Sequence, residues 1–165
     1  MRIKILLMAV FSAFTTLAAF AQTSDAETDA IINLLGVQKK EAMTKLVNVA
    51  SKDSVAFWKI YDEYTKGNIE TAKNRIRLYE QTARSYTNLA PATADSLAKK
   101  YFENRINQEK MLEQYYNKIK AATNPVLAFE FYQAEVYLLT QIRAQIMQQI
   151  PTYGQFQAMV KEHRK

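Results

Sequence analysis

The sequence predicts an all-α protein, an elongated antiparallel bundle of four main helices with a long hairpin between the second and third. Three observations predict it. Only three glycines and three prolines interrupt 165 residues, too few for the turns of a many-stranded protein. Apolar residues recur at three- and four-residue spacing over long stretches. No stretch alternates apolar and polar residues as a half-buried strand does. Hydrophobic residues make up 48% and charged residues 23% of the chain, a globular rather than a disordered balance.

The chain opens with a leader. Arg2 and Lys4 precede an apolar stretch from Ile5 to Phe20, and Ala19-Phe20-Ala21 follows the small-x-small pattern. A positive start, an apolar middle and that ending predict a signal peptide over residues 1–21, cut between Ala21 and Gln22. The rival reading, a membrane anchor, needs about 20 apolar residues. This stretch is shorter and carries Ser12, Thr15 and Thr16. Export to the periplasm is therefore expected, with no stable membrane insertion afterwards. The chain has no cysteine, so lipoprotein anchoring and disulfides are excluded. Residues 22–165 form one domain, large enough to hold itself together by packing.

The first helix is expected at about 27–49. Ser24-Asp25-Ala26-Glu27 has the form of a capping box, and Ile31, Leu34, Leu35, Ala42, Met43, Leu46 and Val49 share a face. Gly36 weakens it by about 1 kcal/mol. The second helix starts with Ser51 or Asp53 as cap and runs to about Tyr86. Val55, Trp58, Tyr61, Tyr64, Ala72, Ile76, Tyr79 and Ala83 mark its face, and Gly67-Asn68 is a kink point. Phe57, Trp58 and Tyr61 are expected to anchor it on the third and fourth helices. Asn88-Leu89-Ala90-Pro91 breaks the rod, and Thr93 caps the third helix, about 94–121, whose face carries Leu97, Tyr101, Arg105, Gln108, Leu112, Tyr115 and Ile119. So short a break folds it back antiparallel. Thr123-Asn124-Pro125 starts the fourth, with Val126, Phe129, Gln133, Val136, Tyr137, Thr140, Ala144 and Met147 on its core face and Pro151 as its stop. From Gln155 the tail adds a turn or two.

No reaction is spelled out. His163 is the only histidine, which excludes His metal clusters and a Ser-His-Asp arrangement. There is no phosphate loop. Glu109, Glu113, Glu130 and Glu135 lack the Glu-x-x-His pattern of di-metal bundles and read as a solvated face with local ion pairs. No catalytic residue, cofactor or metal is expected. The net charge falls from +6 to +4 when Arg2 and Lys4 leave with the leader. Lys and Arg are interleaved with Asp and Glu, so no nucleic-acid footprint is present. The aromatic content is more telling: ten Tyr, eight Phe and one Trp. Some fill the core. Others, with Met111, Met147 and Met159, are candidates for an open surface that takes apolar segments.

Phe57-Trp58-Lys59-Ile60-Tyr61-Asp62-Glu63-Tyr64 resembles the F-W-x-I-Y-x-E-Y signature of Spy/CpxP-like periplasmic proteins, in a branch common in Bacteroidetes and proteobacteria. Phe131-Tyr132-Gln133-Ala134-Glu135 resembles that branch's F-F-Q-x-E, and Ile150-Pro151 its closing I-P. The resemblance covers about residues 30–153. Val49-Ala50-Ser51-Lys52-Asp53 replaces the branch's L-T-x-E-E, Lys59 its Pro, and Glu130 its Arg. Leu139-Thr140-Gln141 is only a fragment of the superfamily's L-T-x-x-Q repeats. The resemblance implies an ATP-independent protein that holds unfolded or partner polypeptides on a helical surface, often as a homodimer. It equally implies an adaptor or sensor docked on one membrane partner in an envelope-stress pathway.

Overall fold

The computed structural model describes the backbone of residues 25–163 and the side chains of residues 36–163 apart from that of residue 149. The expected leader, its cleavage point and the Ser24 cap lie outside these residues. The described elements are α1 (Asp25–Leu46), α2 (Ser51–Gly67), α3 (Ile69–Ser85), a 3-10 turn (Tyr86–Asn88), α4 (Pro91–Ala122), α5 (Pro125–Gln149) and α6 (Tyr153–Glu162). No strand occurs among them. The fold is the predicted all-α bundle with a long hairpin.

α2 and α3 act as one rod. Asn68, between them, keeps right-handed backbone angles; its N–H donates to Tyr64 O at 2.9 Å, and its carbonyl accepts from Ala72 at 3.0 Å. The expected kink at Gly67-Asn68 is thus a local irregularity. The 32 residues of α4 span about 48 Å at 1.5 Å per residue, which makes the hairpin the long axis. Its antiparallel register is written in side-chain pairs. Lys118 faces Glu63 at 3.8 Å, Asn104 donates to Thr71 O at 3.2 Å, and Thr82 meets Tyr101 at 2.8 Å. α5 runs back along α4, and α1 lies antiparallel to α5 through Lys39–Glu135 and the Asn48 N–H on Glu130. Tyr86 packs against Tyr153 and Phe156, which holds α6 at the far end.

Local chemistry explains the boundaries, with three corrections. Asn124 caps α5 as expected: its Oδ1 accepts from Val126 and Leu127 at 3.0 Å each, and Pro125 opens the first turn. α2, however, starts at Ser51, with Ala50 as its N-cap and no side-chain cap. Neither Ser51 nor Asp53 serves. α4 likewise starts at Pro91, not beyond Thr93, because proline suits the first helical position, where an N–H has no partner anyway. The tail forms a helix of ten residues, not a turn or two, nucleated by a Thr152/Gln155 capping box.

The core is centred on α2 and α5. Phe57, Tyr61, Tyr64 and Phe131 are fully buried and meet mostly edge-to-face, with the Tyr64–Phe131 centroids 5.5 Å apart at 88°. Met43, Leu112, Ile119 and Leu138 close around them. One residue and one face depart from expectation. Val55 is 84% exposed, although the rest of its expected face is buried or half-buried. On α5 the buried side is Leu127, Ala128, Phe131, Ala134, Leu138 and Ile142, while the predicted Val126, Phe129, Tyr137 and Met147 are exposed. Both sides of α5 are apolar, so spacing alone could not choose between them. Trp58 is also no central anchor: it lies half-buried on the rim, edge-on to Phe57 at 4.9 Å and to Tyr61 at 5.6 Å.

The difference predicts an order of costs. Phe57→Ala should lose about 3–5 kcal/mol, the range for a fully buried aromatic. Trp58→Ala should lose clearly less. Chemical denaturation of the two variants checks the order; an equal or larger loss for Trp58→Ala would contradict it.

Candidate functional site

The helices are joined by a buried polar chain. Glu135 on α5 is fully buried, and its Oε1 accepts from Lys39 Nζ at 2.6 Å and from the Tyr64 hydroxyl at 2.7 Å. Gln108 Nε2 on α4 donates to Tyr64 Oη at 3.2 Å, and Arg75 Nη1 on α3 donates to Gln108 Oε1 at 3.4 Å. Lys39 belongs to α1, so each of α1 to α5 contributes one residue. Lys39 also lies 5.0 Å from the Tyr64 ring centroid.

Burial dominates the electrostatics here. It pushes the Tyr64 phenol well above its ordinary range, and the charge of Glu135 and the hydrogen bond to it push further. Tyr61 is raised for the same first reason, burial, and then by Glu135. The Arg75 guanidinium is lowered, again first by burial. Enclosed in this way, the Glu135 carboxylate binds α1 and α2 to α5 through Lys39 and Tyr64. Among the described residues no three His, Cys, Asp or Glu side chains gather as a metal cage. Glu135 corrects the reading of the acids as a solvated face with local ion pairs, and Lys118 pairs with Glu63 of another helix, α2.

The second feature is an open groove between α4 and α5. It is lined by Ile106, Tyr116, Phe129 and Tyr132, with Arg105, Glu109, Lys110 and Glu113 along it. Ile106 and Phe129 are each 51% exposed. The rings of Phe129 and Tyr132 stack with centroids 6.5 Å apart. Phe102, 64% exposed, lies one turn before Ile106. Apolar bottom and mixed-charge edges resemble the anatomy of a protein interface.

The residues singled out in the sequence separate into three places. Phe57, Tyr61, Tyr64, Phe131 and Glu135 converge in the interior, with Trp58 and Ile60 packed on its rim. Tyr132 and Gln133 face outward, Tyr132 in the groove. Ile150 is the C-cap of α5, and Pro151 leads into α6, away from both features. Lys39 and Arg75 were not legible as members of the chain, since their partners are remote in sequence. Gln108 did give a signal, a polar residue on a largely apolar stripe, while Arg105, expected on the same stripe, is exposed. No family model, curated protein or solved structure matches this chain. Its role must therefore be argued from these surfaces.

Two outcomes test the buried chain. Lys39→Met or Glu135→Leu alone should cost about 3–5 kcal/mol, because each strands a buried charge. The double variant should recover much of that in a denaturation cycle; strictly additive losses would contradict the pairing. The raised phenols give a pH dependence. Unfolded tyrosines ionise near pH 10, while Tyr61 and Tyr64 hold their protons in the folded chain. Their contribution is complete below pH 10 and is lost as pH rises above it. Stability should fall from about pH 10 upward, more shallowly in Tyr64→Phe; unfolding curves at stepped pH check the slope.

Proposed function

We propose that this protein is a non-enzymatic, periplasmic protein-binding protein of the Spy/CpxP-like kind. It is an ATP-independent, chaperone-like or envelope-stress protein that holds unfolded polypeptides on its outer α4–α5 groove. One observation carries the reading: besides its buried stripe, α5 leaves several large apolar side chains open. Large apolar side chains exposed together mark interaction surfaces. Here Val126, Phe129, Tyr132, Tyr137 and Met147 remain exposed beside Phe102 and Ile106 of α4.

The chemistry suits a client with no fixed structure. Tyr and Phe offer broad contact for little conformational entropy, and Met adapts to irregular partners. Charges of both signs along the groove steer without demanding one sequence. No described helix is long and apolar enough to cross a membrane. The motif resemblance at residues 57–64 and 131–135 and the exported leader read in the sequence support the same role. An adaptor with one membrane partner would use the same surface and is separated by the test.

The purified chain should suppress aggregation of a reduced or acid-unfolded client without nucleotide. Ile106→Asp combined with Phe129→Asp should abolish suppression, with stability changed by about 0.5 kcal/mol or less, since both sites are exposed. Light scattering and thermal melting check both. No suppression by the parent at several-fold molar excess would overturn the reading. One stoichiometric partner from envelope extracts, with no holdase activity, would give the adaptor instead.

A further inference from the structure

Beside the polar chain, α1, the α2–α3 junction and α5 line an open cleft of about 300 Å³. Ile69, Ile76, Leu139, Ile142 and Ile146 form an aliphatic sleeve, while Lys39, Thr65, Asn68 and Arg75 supply polar groups. Two of these belong to the polar chain: Lys39 bonds Glu135, and Arg75 reaches Gln108, itself bonded to Tyr64.

Two features of this cleft leave a polar demand that the fold meets only in part or not at all. The first is Arg75. Its guanidinium has only the Gln108 amide oxygen, at 3.4 Å, and no carboxylate of the described residues within ion-pair distance. Lys39 already takes the buried Glu135 carboxylate, which acts on Arg75 only from beyond ion-pair distance, and Arg143 opposes it with further positive field. Burial disfavours the charged form of Arg75, so an anion beside it would relieve a standing cost. The second is one oxygen. Asn68 Oδ1 is buried with no hydrogen-bond partner, and Asn68 is 6% exposed. An unsatisfied buried polar atom costs about 1–3 kcal/mol and calls for a partner.

We propose that this cleft binds one medium-chain aliphatic carboxylate, with its tail among the isoleucines and its carboxylate on Arg75. The volume sits at the lower end of small-molecule pockets, about 300–1,000 Å³, which suits one short chain and excludes a two-chain lipid. Asn68 Oδ1 only accepts, so a hydroxyl close to the carboxylate satisfies it, and a 3-hydroxy acid binds better than the plain acid. This site is separate from the α4–α5 groove and shares no lining residue with it.

Calorimetric titration of the full chain with decanoate, 3-hydroxydecanoate, decanol and decyltrimethylammonium tests it. Decanoate should bind saturably, one molecule per chain, about tenfold more tightly than decanol, the scale of one charge-assisted contact. The ammonium should bind no better than decanol, and 3-hydroxydecanoate should bind best. Arg75→Met should remove the preference for the acid over the alcohol. Ile146→Trp and Ala72→Phe, two independent ways to fill the sleeve, should abolish binding of both. Ile106→Asp with Phe129→Asp should leave decanoate binding unchanged, which separates this site from client holding. Non-saturable uptake, equal affinity for acid and alcohol, or decanoate binding indifferent to Arg75→Met and Ile146→Trp would overturn the proposal.

Discussion

A single buried carboxylate sets the arrangement of the bundle. Glu135 Oε1 takes hydrogen bonds from α1 and α2 together, and Tyr64 passes the connection to Gln108 on α4 and so to Arg75 on α3. A buried ion pair adds little over well-packed apolar residues, but a stranded member of one is costly. The chain therefore matters most for register. Sliding α1 or α4 by one residue would carry Lys39 or Gln108 off its partner, while the surrounding aliphatic side chains would tolerate a slip far better. The aromatic cluster of Phe57, Tyr61, Tyr64 and Phe131 supplies burial, and the polar chain threaded through Tyr64 makes that burial specific.

The same chain occupies the interior and leaves apolar side chains on the exterior. Glu135 and Tyr64 are sealed from solvent, so the most perturbed groups of the molecule serve structure. With its interior committed, α5 still carries a second apolar side. A bundle only a few helices thick cannot cover every apolar side chain of such a helix. The groove beside Phe129 and Tyr132 follows from that shortage of cover, and the proposed client binding uses it. The cleft beside Arg75 arises differently, where the chain meets the aliphatic flanks of α3 and α5.

How far the residues announced this structure varies from element to element. Helix starts were readable where one residue does the capping: Asn124-Pro125 is an example. They were misread where alanine takes that position, at Ala50 and at Ala90 before Pro91. The Thr152/Gln155 box was readable in principle, and it lengthens α6 beyond the expected turn. The aromatic motif placed Phe57, Tyr61 and Tyr64 inside correctly but assigned Trp58 too central a place, because neighbouring residues on a helix point to different sides. On α5 the periodicity selected the outer stripe, since two apolar stripes score alike in one dimension.

The sequence by itself determined the helical class, the long hairpin and the aromatic core of α2, because backbone propensity, turn residues and apolar spacing act over a few residues. Only the tertiary structure decided which side of α5 is buried, that Glu135 is enclosed, and that Lys39 and Arg75 reach the same interior. The physical reason is separation: Lys39 and Glu135 are 96 positions apart, and no local pattern can record which distant partner satisfies a charge or which neighbour covers a face.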